Sequence, residues 1–379
     1  MITFSNDELH GTWLGRVWRP DVGPAVVTLR EGQVIDITSR AAPTVRDVME
    51  GDAPAAYVTS AIGEDLGAIS DIAGGTDQTA VHWLAPCDLQ AVKACGVTFA
   101  QSMVERVIEE QAAGDPAKAE AIRTRVTAII GDSLDQIEAG SEKAAQVKAE
   151  LIEIGLWSQY LEVGIGPDAE VFSKAQPLSS VGPGAEIGLH PSSTWNNPEP
   201  EVVLAVNSNG KCHGATLGND VNLRDIEGRS ALLLPMAKDN NASCALGPMI
   251  RLFDATYSMD DVRQTVLDLR VEGEDGYVLE GQSLMSKISR DPLDLIDHVI
   301  GRHHQYPDGF VLFLGTLFAP IDDRDVPGQG FTHKLGDKVT ISAEGLGALV
   351  NTVRYSTECP PWNFGLADLM RNLAGRGLL

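Results

Sequence analysis

Glu199 and Glu201 stand one residue apart around Pro200, and Asn219-Asp220 follows some twenty residues later. Side chains alternate along an extended strand, so Glu199 and Glu201 face the same side. Carboxylates held that close raise each other's pKa unless something positive lies between them. A divalent cation is the usual answer. The apolar run 202–206 carries the strand inward, and Asn207-Ser208-Asn209-Gly210 is a turn cluster of the kind that closes a hairpin. Residues 214–218 then return the chain and bring Asp220 back towards Glu199. Three hard oxygen donors from one hairpin, with no His or Cys beside them, suit Mg²⁺ or Mn²⁺ better than Zn²⁺. An isolated Glu-x-Glu would more often be a solvated edge strand, since Glu is mostly exposed. The residues around it favour the metal.

The elements that must position this hairpin fall into three zones. Residues 1–86 read as short strands and turns (11–18, 25–29, 34–37), with a helix over 44–50 capped by Thr44. They are expected to form a small N-terminal domain without chemistry of their own. The catalytic domain is expected over 87–379 and includes a helical segment at about 103–160. Its helices span 104–110, ending near Gly114-Asp115-Pro116, then 117–130 and 142–160. They serve as scaffold or as a lid. From about 166 onward the chain is β-rich with many Gly and Pro.

A chain of 379 residues that is 43% hydrophobic can fill a sizeable core. Its formal net charge of −24 argues against nucleic acid and anionic membranes as partners and favours cation binding. An acidic enzyme acting on an anion must supply local positive charge, which again points to a metal with a Lys or Arg. The five cysteines are scattered and odd in number, which fits a reducing compartment rather than a disulfide framework or a zinc site. The first seven residues show no leader pattern, and no apolar run approaches membrane-spanning length. A cytoplasmic location is expected.

Past the hairpin come Asn219-Asp220-Val221-Asn222-Leu223-Arg224-Asp225, then Lys238 and Gly247-Pro248. Before it stand Phe172-Ser173-Lys174 and Ser179-Ser180-Val181-Gly182-Pro183-Gly184. After it follow Phe313-Leu314-Gly315-Thr316, Leu335-Gly336-Asp337-Lys338-Val339 and the run 345–353. In order and spacing these tracts resemble the fumarylacetoacetate hydrolase superfamily over about residues 166–355. The resemblance implies an α+β fold: a β-rich catalytic domain of rolled mixed sheets with the metal in its mouth, a helical segment over or beside that mouth, and the small N-terminal domain. It also implies a homodimer or a dimer of dimers.

One departure decides between reactions. Hydrolases of this superfamily begin their catalytic domain with G-x-N-Y-x-x-H-x-x-E, whose His, held by the Glu, activates water. The similar tract here is Gly96-Val97-Thr98-Phe99-Ala100-Gln101-Ser102-Met103-Val104-Glu105. Glu105 remains, but Ser102 stands at the His position, and a hydroxyl is too weak a base to activate water unaided. The branch that lacks the His and keeps F-x-K, E-P-E and P-x-x-K (here Pro235-Met236-Ala237-Lys238) is the 2-keto-3-deoxy-pentonate dehydratases. The implied reaction removes water from 2-keto-3-deoxy-D-xylonate to give 2,5-dioxopentanoate, with the C4 epimer, xylonate-derived or arabinonate-derived, left open. A hydrolase or decarboxylase of acylpyruvate-like β-diketo acids, and a non-catalytic 2-keto-acid binder, are the alternatives.

By the same resemblance Glu199, Glu201 and Asp220 hold Mg²⁺, with Mn²⁺ an option. Glu170 is the candidate base for the C3 proton, or else a surface acid before a strand. Lys238 binds the enolate oxygen or the carboxylate. Lys174 is a lesser candidate for the substrate, or a partner of the acidic cluster. Gly315-Thr316 would offer backbone N–H groups and a hydroxyl to the substrate carboxylate. Arg224 reads as structural, paired with Asp225 or another acid. His213 either approaches the metal or sits on the strand surface.

Overall fold

The structure is a computed structural model, which describes residues 4–5, 8–129, 137–153, 155, 157–318, 320 and 322–379. Two sheets organise it. The strands of the larger run in the order Glu64–Ala68, Gln33–Asp36, Gly23–Arg30, Trp13–Arg19, Cys244–Leu252, Cys212–Asp220, Pro200–Val206, Phe310–Phe313, Ala91–Gly96 and Glu170–Ala175. His82–Leu84 pairs with Trp13–Arg19 off this path. The smaller sheet orders Val278–Leu284, Val266–Glu272, Lys338–Ala343, Gly347–Tyr355 and Glu186–Leu189. Both mix parallel and antiparallel pairs, as in Phe310–Phe313 beside Ala91–Gly96 and Gly347–Tyr355 beside Glu186–Leu189. The N-terminal strands extend the larger sheet through Trp13↔Arg251 and Leu14↔Ile250.

The strand Pro200–Val206 lies at the centre and is buried along its whole length. Val202, Leu204 and Val206 face the second sheet, packing in one core with Leu267, Leu269, Ile341 and Leu349. Val203 points the other way, against Leu246, Val311 and Phe313. A strand covered on both faces is apolar without alternation, which explains the unbroken run 202–206. Gly210, at a φ of 78°, closes the turn to Cys212–Asp220. That return strand pairs Gly218 with Glu201 and Asn219 with Pro200. Gly218 is required there, because a Cβ would meet the Phe313 ring at 2.3 Å.

The helix Val45–Met49 begins at its N-cap Thr44, whose side chain accepts from the Asp47 amide, as the sequence predicts. The helix Ala100–Ala112 ends on Ala113 in the left-handed region, and Pro116–Ile129 follows. The predicted extension of that second helix to Ile130 lies outside the described residues. The helix predicted over 142–160 is two, Glu142–Glu153 and Gln159–Ile165. Ser158 interrupts it by capping the second, accepting from the Tyr160 and Leu161 amides; Ile154 and Leu156 lie outside the described residues. Met103, Val107 and Ile108 of Ala100–Ala112 pack with Leu161 and Ile165. That leaves Ser102, Arg106 and Glu109, spaced as neighbours along a helix face, directed at the hairpin. No helix among the described residues is long and apolar enough to cross a membrane.

Candidate active site

The hairpin register places the three acids together. The Asp220 amide donates to the Glu199 carbonyl at 3.1 Å, and one oxygen from each of Glu199, Glu201 and Asp220 falls within 4.8 Å of the others. All three are buried. Mg²⁺–O distances of 2.0–2.1 Å put cis ligands about 3 Å apart and trans ligands about 4 Å apart, so this spacing suits one octahedral cation. The donor set is all oxygen, and Asp220 Oδ1 is buried without an aligned hydrogen bond, 3.1 Å from Lys174 Nζ. These residues fit a hard divalent ion.

Besides Lys174, two cations reach the same carboxylates. Lys238 Nζ donates to Glu199 Oε2 at 2.5 Å and to Asp220 Oδ2 at 3.0 Å. Arg106 Nη2 donates to Glu199 Oε1 at 2.7 Å, while its Nη1 pairs with Glu109 at 2.6 Å and with Glu227 at 3.0 Å. Lys174 is fully buried beneath them and donates to the Lys238 carbonyl oxygen. It props the cluster rather than lining the cavity.

The cavity is lined by Glu170, Phe172, Glu199, Glu201, Asp220, Glu227, Lys238 and Thr316, with Ser102 and Arg106 from the helix. With these side chains as placed it offers about 30 Å³, enough to admit water. Glu170 starts its strand opposite Gly96, and a Cβ at Gly96 would meet Glu170 Oε2 at 2.0 Å and push the carboxylate from this position. A larger space of about 350 Å³ among Trp18, His82, Trp362 and Phe364 carries no acid in its lining.

Charge and burial set the acids apart. Burial, then Asp220 and Glu199, push the Glu201 carboxyl well above its ordinary range, and Lys238 and the Gly315 amide only partly offset them. Burial also raises Glu199 against Lys238 and Arg106. At Asp220 burial acts upward too, but Lys238 and Lys174 together hold it low. Burial raises Glu170 against the pull of Arg106 and Lys238, the condition of a carboxyl able to exchange protons. Lys238 is raised, because Asp220 and Glu199 outweigh its burial.

Several expectations need correcting. The Gly315 amide does not face a substrate carboxylate: it donates to Glu201 Oε2 at 2.6 Å. Thr316 lines the cavity, and its hydroxyl accepts from the Phe318 amide at 3.1 Å. Of the partners expected for Arg224, Asp225 turns away to Ser193 and Thr194, and another acid takes the guanidinium, in keeping with a structural Arg224. Its Nε donates to Glu109 at 2.6 Å and its guanidinium stacks 4.2 Å from the Trp195 ring. His213 is buried at the far end of its strand beside Asn207, and burial, then Lys211, lower it to about 4. Ser102 lines the cavity, its hydroxyl donating to the Phe99 carbonyl at 2.8 Å, while Glu105 turns to Arg123. No base–acid pair of the hydrolytic type stands there. Arg106 and Glu227 went unrecognised as site residues; the one available signal was that each lies beside a recognised tract.

The family model described as "Fumarylacetoacetate (FAA) hydrolase C-terminal" matches residues 159–354. A Haloferax volcanii protein named "Probable 2-keto-3-deoxyxylonate dehydratase" is 29% identical over 256 residues, 68% of this chain and 84% of its own length. A Saccharolobus solfataricus 2-dehydro-3-deoxy-D-arabinonate dehydratase is 33% identical over 188 residues, 49% of this chain and 58% of its own. A solved structure of 2-keto-3-deoxy-D-arabinonate dehydratase complexed with magnesium and 2,5-dioxopentanoate superposes with a TM-score of 0.60 at 22% identity, covering 90% of this chain and 98% of that one. With the model spanning more than half of its length, the chain belongs to the fumarylacetoacetate hydrolase family.

Proposed function

We propose that this protein is a metal-dependent hydro-lyase that removes water from 2-keto-3-deoxy-D-xylonate and yields 2,5-dioxopentanoate. One observation carries the reading: the cavity that gathers Glu199, Glu201 and Asp220 also holds Glu170 and Lys238, and has Ser102 where a hydrolytic His would stand. The dehydratase relatives in Haloferax volcanii and Saccharolobus solfataricus support it, as does the neighbour solved with magnesium and 2,5-dioxopentanoate. The xylonate and arabinonate names do not compete. Losing the C2 and C3 stereocentres leaves C4 alone, and it has the same configuration in D-xylonate and D-arabinonate. The expected contrast at C4 between the xylonate-derived and arabinonate-derived acids therefore has to be corrected: within the D series the two are one compound, and a choice at C4 exists only between the D and L series.

Glu199, Glu201 and Asp220 would hold Mg²⁺ or Mn²⁺, which supplies Lewis acidity at a chelated 2-keto acid. The protein's own groups do the rest. Glu170 takes a C3 proton. Lys238 steadies the negative oxygen at C2, and Thr316 offers its hydroxyl to the carboxylate end. Lys174 holds Asp220 and the Lys238 backbone in place. Water leaves from C4, and tautomerisation delivers the aldehyde at C5. The same reading has residues 1–86 as a small N-terminal unit on a catalytic domain over 87–379, a cytoplasmic location, and a homodimer or dimer of dimers.

Parallel incubations with the 2-keto-3-deoxy acid and with an acylpyruvate, each with Mg²⁺ and with EDTA, test the reading. Metal-dependent 2,5-dioxopentanoate without acylpyruvate cleavage supports it; acylpyruvate cleavage alone overturns it.

A further inference from the structure

Dehydration moves protons at two places. Glu170 stands ready at C3, whereas the C4 hydroxyl has to leave as water and no residue has yet been assigned to protonate it. Glu227 is the buried acid of the cavity without a role. It ends the short turn Arg224–Glu227, where its amide donates to the Leu223 carbonyl at 2.9 Å. Two contacts fix that turn. Arg224 is tied to Glu109, and Gly228 packs so closely on Gly114 that a Cβ would lie 3.0 Å from the Gly114 Cα.

The Glu227 side chain is 7% exposed and lines the same cavity as Glu170 and Lys238. Its Oε2 sits 3.0 Å from Arg106 Nη1 but has no aligned hydrogen-bond partner. A buried carboxyl oxygen that lacks an aligned donor is costly to keep ionised, and the Arg106 charge offsets only part of that cost. Glu227 stands outside the cluster that can hold the cation. Burial, opposed by Arg106 and Lys238, keeps its carboxyl raised.

We propose that Glu227 is the acid that protonates the departing C4 hydroxyl, with Arg106 holding its carboxyl in place. The inference rests on the dehydratase reading. The C3–H bond breaks and its proton goes to Glu170. The electron pair left on C3 forms the C3–C4 double bond as the C4–O bond breaks, and its electrons stay on oxygen. That oxygen takes the Glu227 proton and leaves as water. Transfer of a proton from Glu170 back to Glu227 through solvent restores the pair.

A leaving group that needs no proton separates this role from a structural one. Purified full-length protein and Glu227→Gln would be given, with Mg²⁺, the 2-keto-3-deoxy acid and its 4-fluoro analogue (hydroxyl replaced at C4). Mn²⁺ titration would verify that the site is intact, and Glu227→Asp would serve as the conservative variant. General acids contribute about 10²–10⁴-fold, so water loss should fall at least about 100-fold in Glu227→Gln. Fluoride loss should fall less than about tenfold, and Glu227→Asp should recover part of the water loss. Equal falls in water and fluoride loss would overturn the acid role in favour of a structural one. Unchanged water loss would overturn it as well. A wild-type protein that releases neither water nor fluoride would overturn the dehydratase reading itself, and the acid role with it.

Discussion

Replacing Lys238 by Met tests whether its ammonium and a divalent cation compete for the same carboxylates. Lys238 is buried and bonds Glu199 at 2.5 Å and Asp220 at 3.0 Å. Removing one partner of a buried ion pair costs about 3–5 kcal/mol. For 379 residues the unfolding entropy is roughly 0.8 kcal/mol/K, so the metal-free variant should melt about 4–6 °C below the wild type. The metal should reverse the order of affinities. A cation between Glu199 and Asp220 displaces at least one charged hydrogen bond from Lys238, which is about 1.5–3 kcal/mol. Without the ammonium that cost disappears, and Mn²⁺ should bind about 10–100-fold tighter. Differential scanning calorimetry in EDTA and Mn²⁺ titration calorimetry read the two effects. A variant that melts lower yet binds Mn²⁺ no better than the wild type would refute the competition. Turnover should be lost in either case.

Three further perturbations follow from the same geometry. Glu201, raised by burial and by Asp220 and Glu199, keeps its proton in the metal-free protein to higher pH than an ordinary carboxyl. A cation takes only the carboxylate, so binding should release a proton and tighten with rising pH until Glu201 ionises by itself. Titration calorimetry in buffers of differing ionisation enthalpy would count that proton, and a buffer-independent heat would sink the argument. Arg224→Met strands Glu109 beside Arg106 alone and should cost about 3–5 kcal/mol, with Mn²⁺ affinity within about threefold of wild type, less than one charged hydrogen bond would give; an unchanged melting temperature would contradict it. Glu170→Gln should lower kcat by about 10²–10⁴ while Mn²⁺ still binds, and a variant of wild-type kcat would remove Glu170 from the chemistry.

The hairpin was legible because its information is local: alternation, a turn cluster and a short return path fix where Glu199, Glu201 and Asp220 meet. Thr44 as a helix cap was legible for the same reason. Arg106 was not, because in sequence it is one charge on a charged helix face. Its partner Glu199 stands just before a strand that only the tertiary fold brings near. Arg224 shows the limit clearly. Its neighbour Asp225 looks like the natural partner, but the turn aims consecutive side chains apart, and Glu109 of the distant helix takes the guanidinium. Gly315 gives up its amide to Glu201 because a buried carboxylate needs donors as much as a substrate does. Pairings such as Phe310–Phe313 beside Ala91–Gly96 leave no mark on periodicity at all.

The central claim is tested most directly by following 2-keto-3-deoxy-D-xylonate by NMR with EDTA-treated protein, before and after Mg²⁺ is added. The account predicts no change in EDTA, then loss of the C4 carbinol signal and growth of the C5 aldehyde of 2,5-dioxopentanoate once Mg²⁺ is present. Substrate that stays intact with Mg²⁺, or an aldehyde that forms equally well in EDTA, would contradict it.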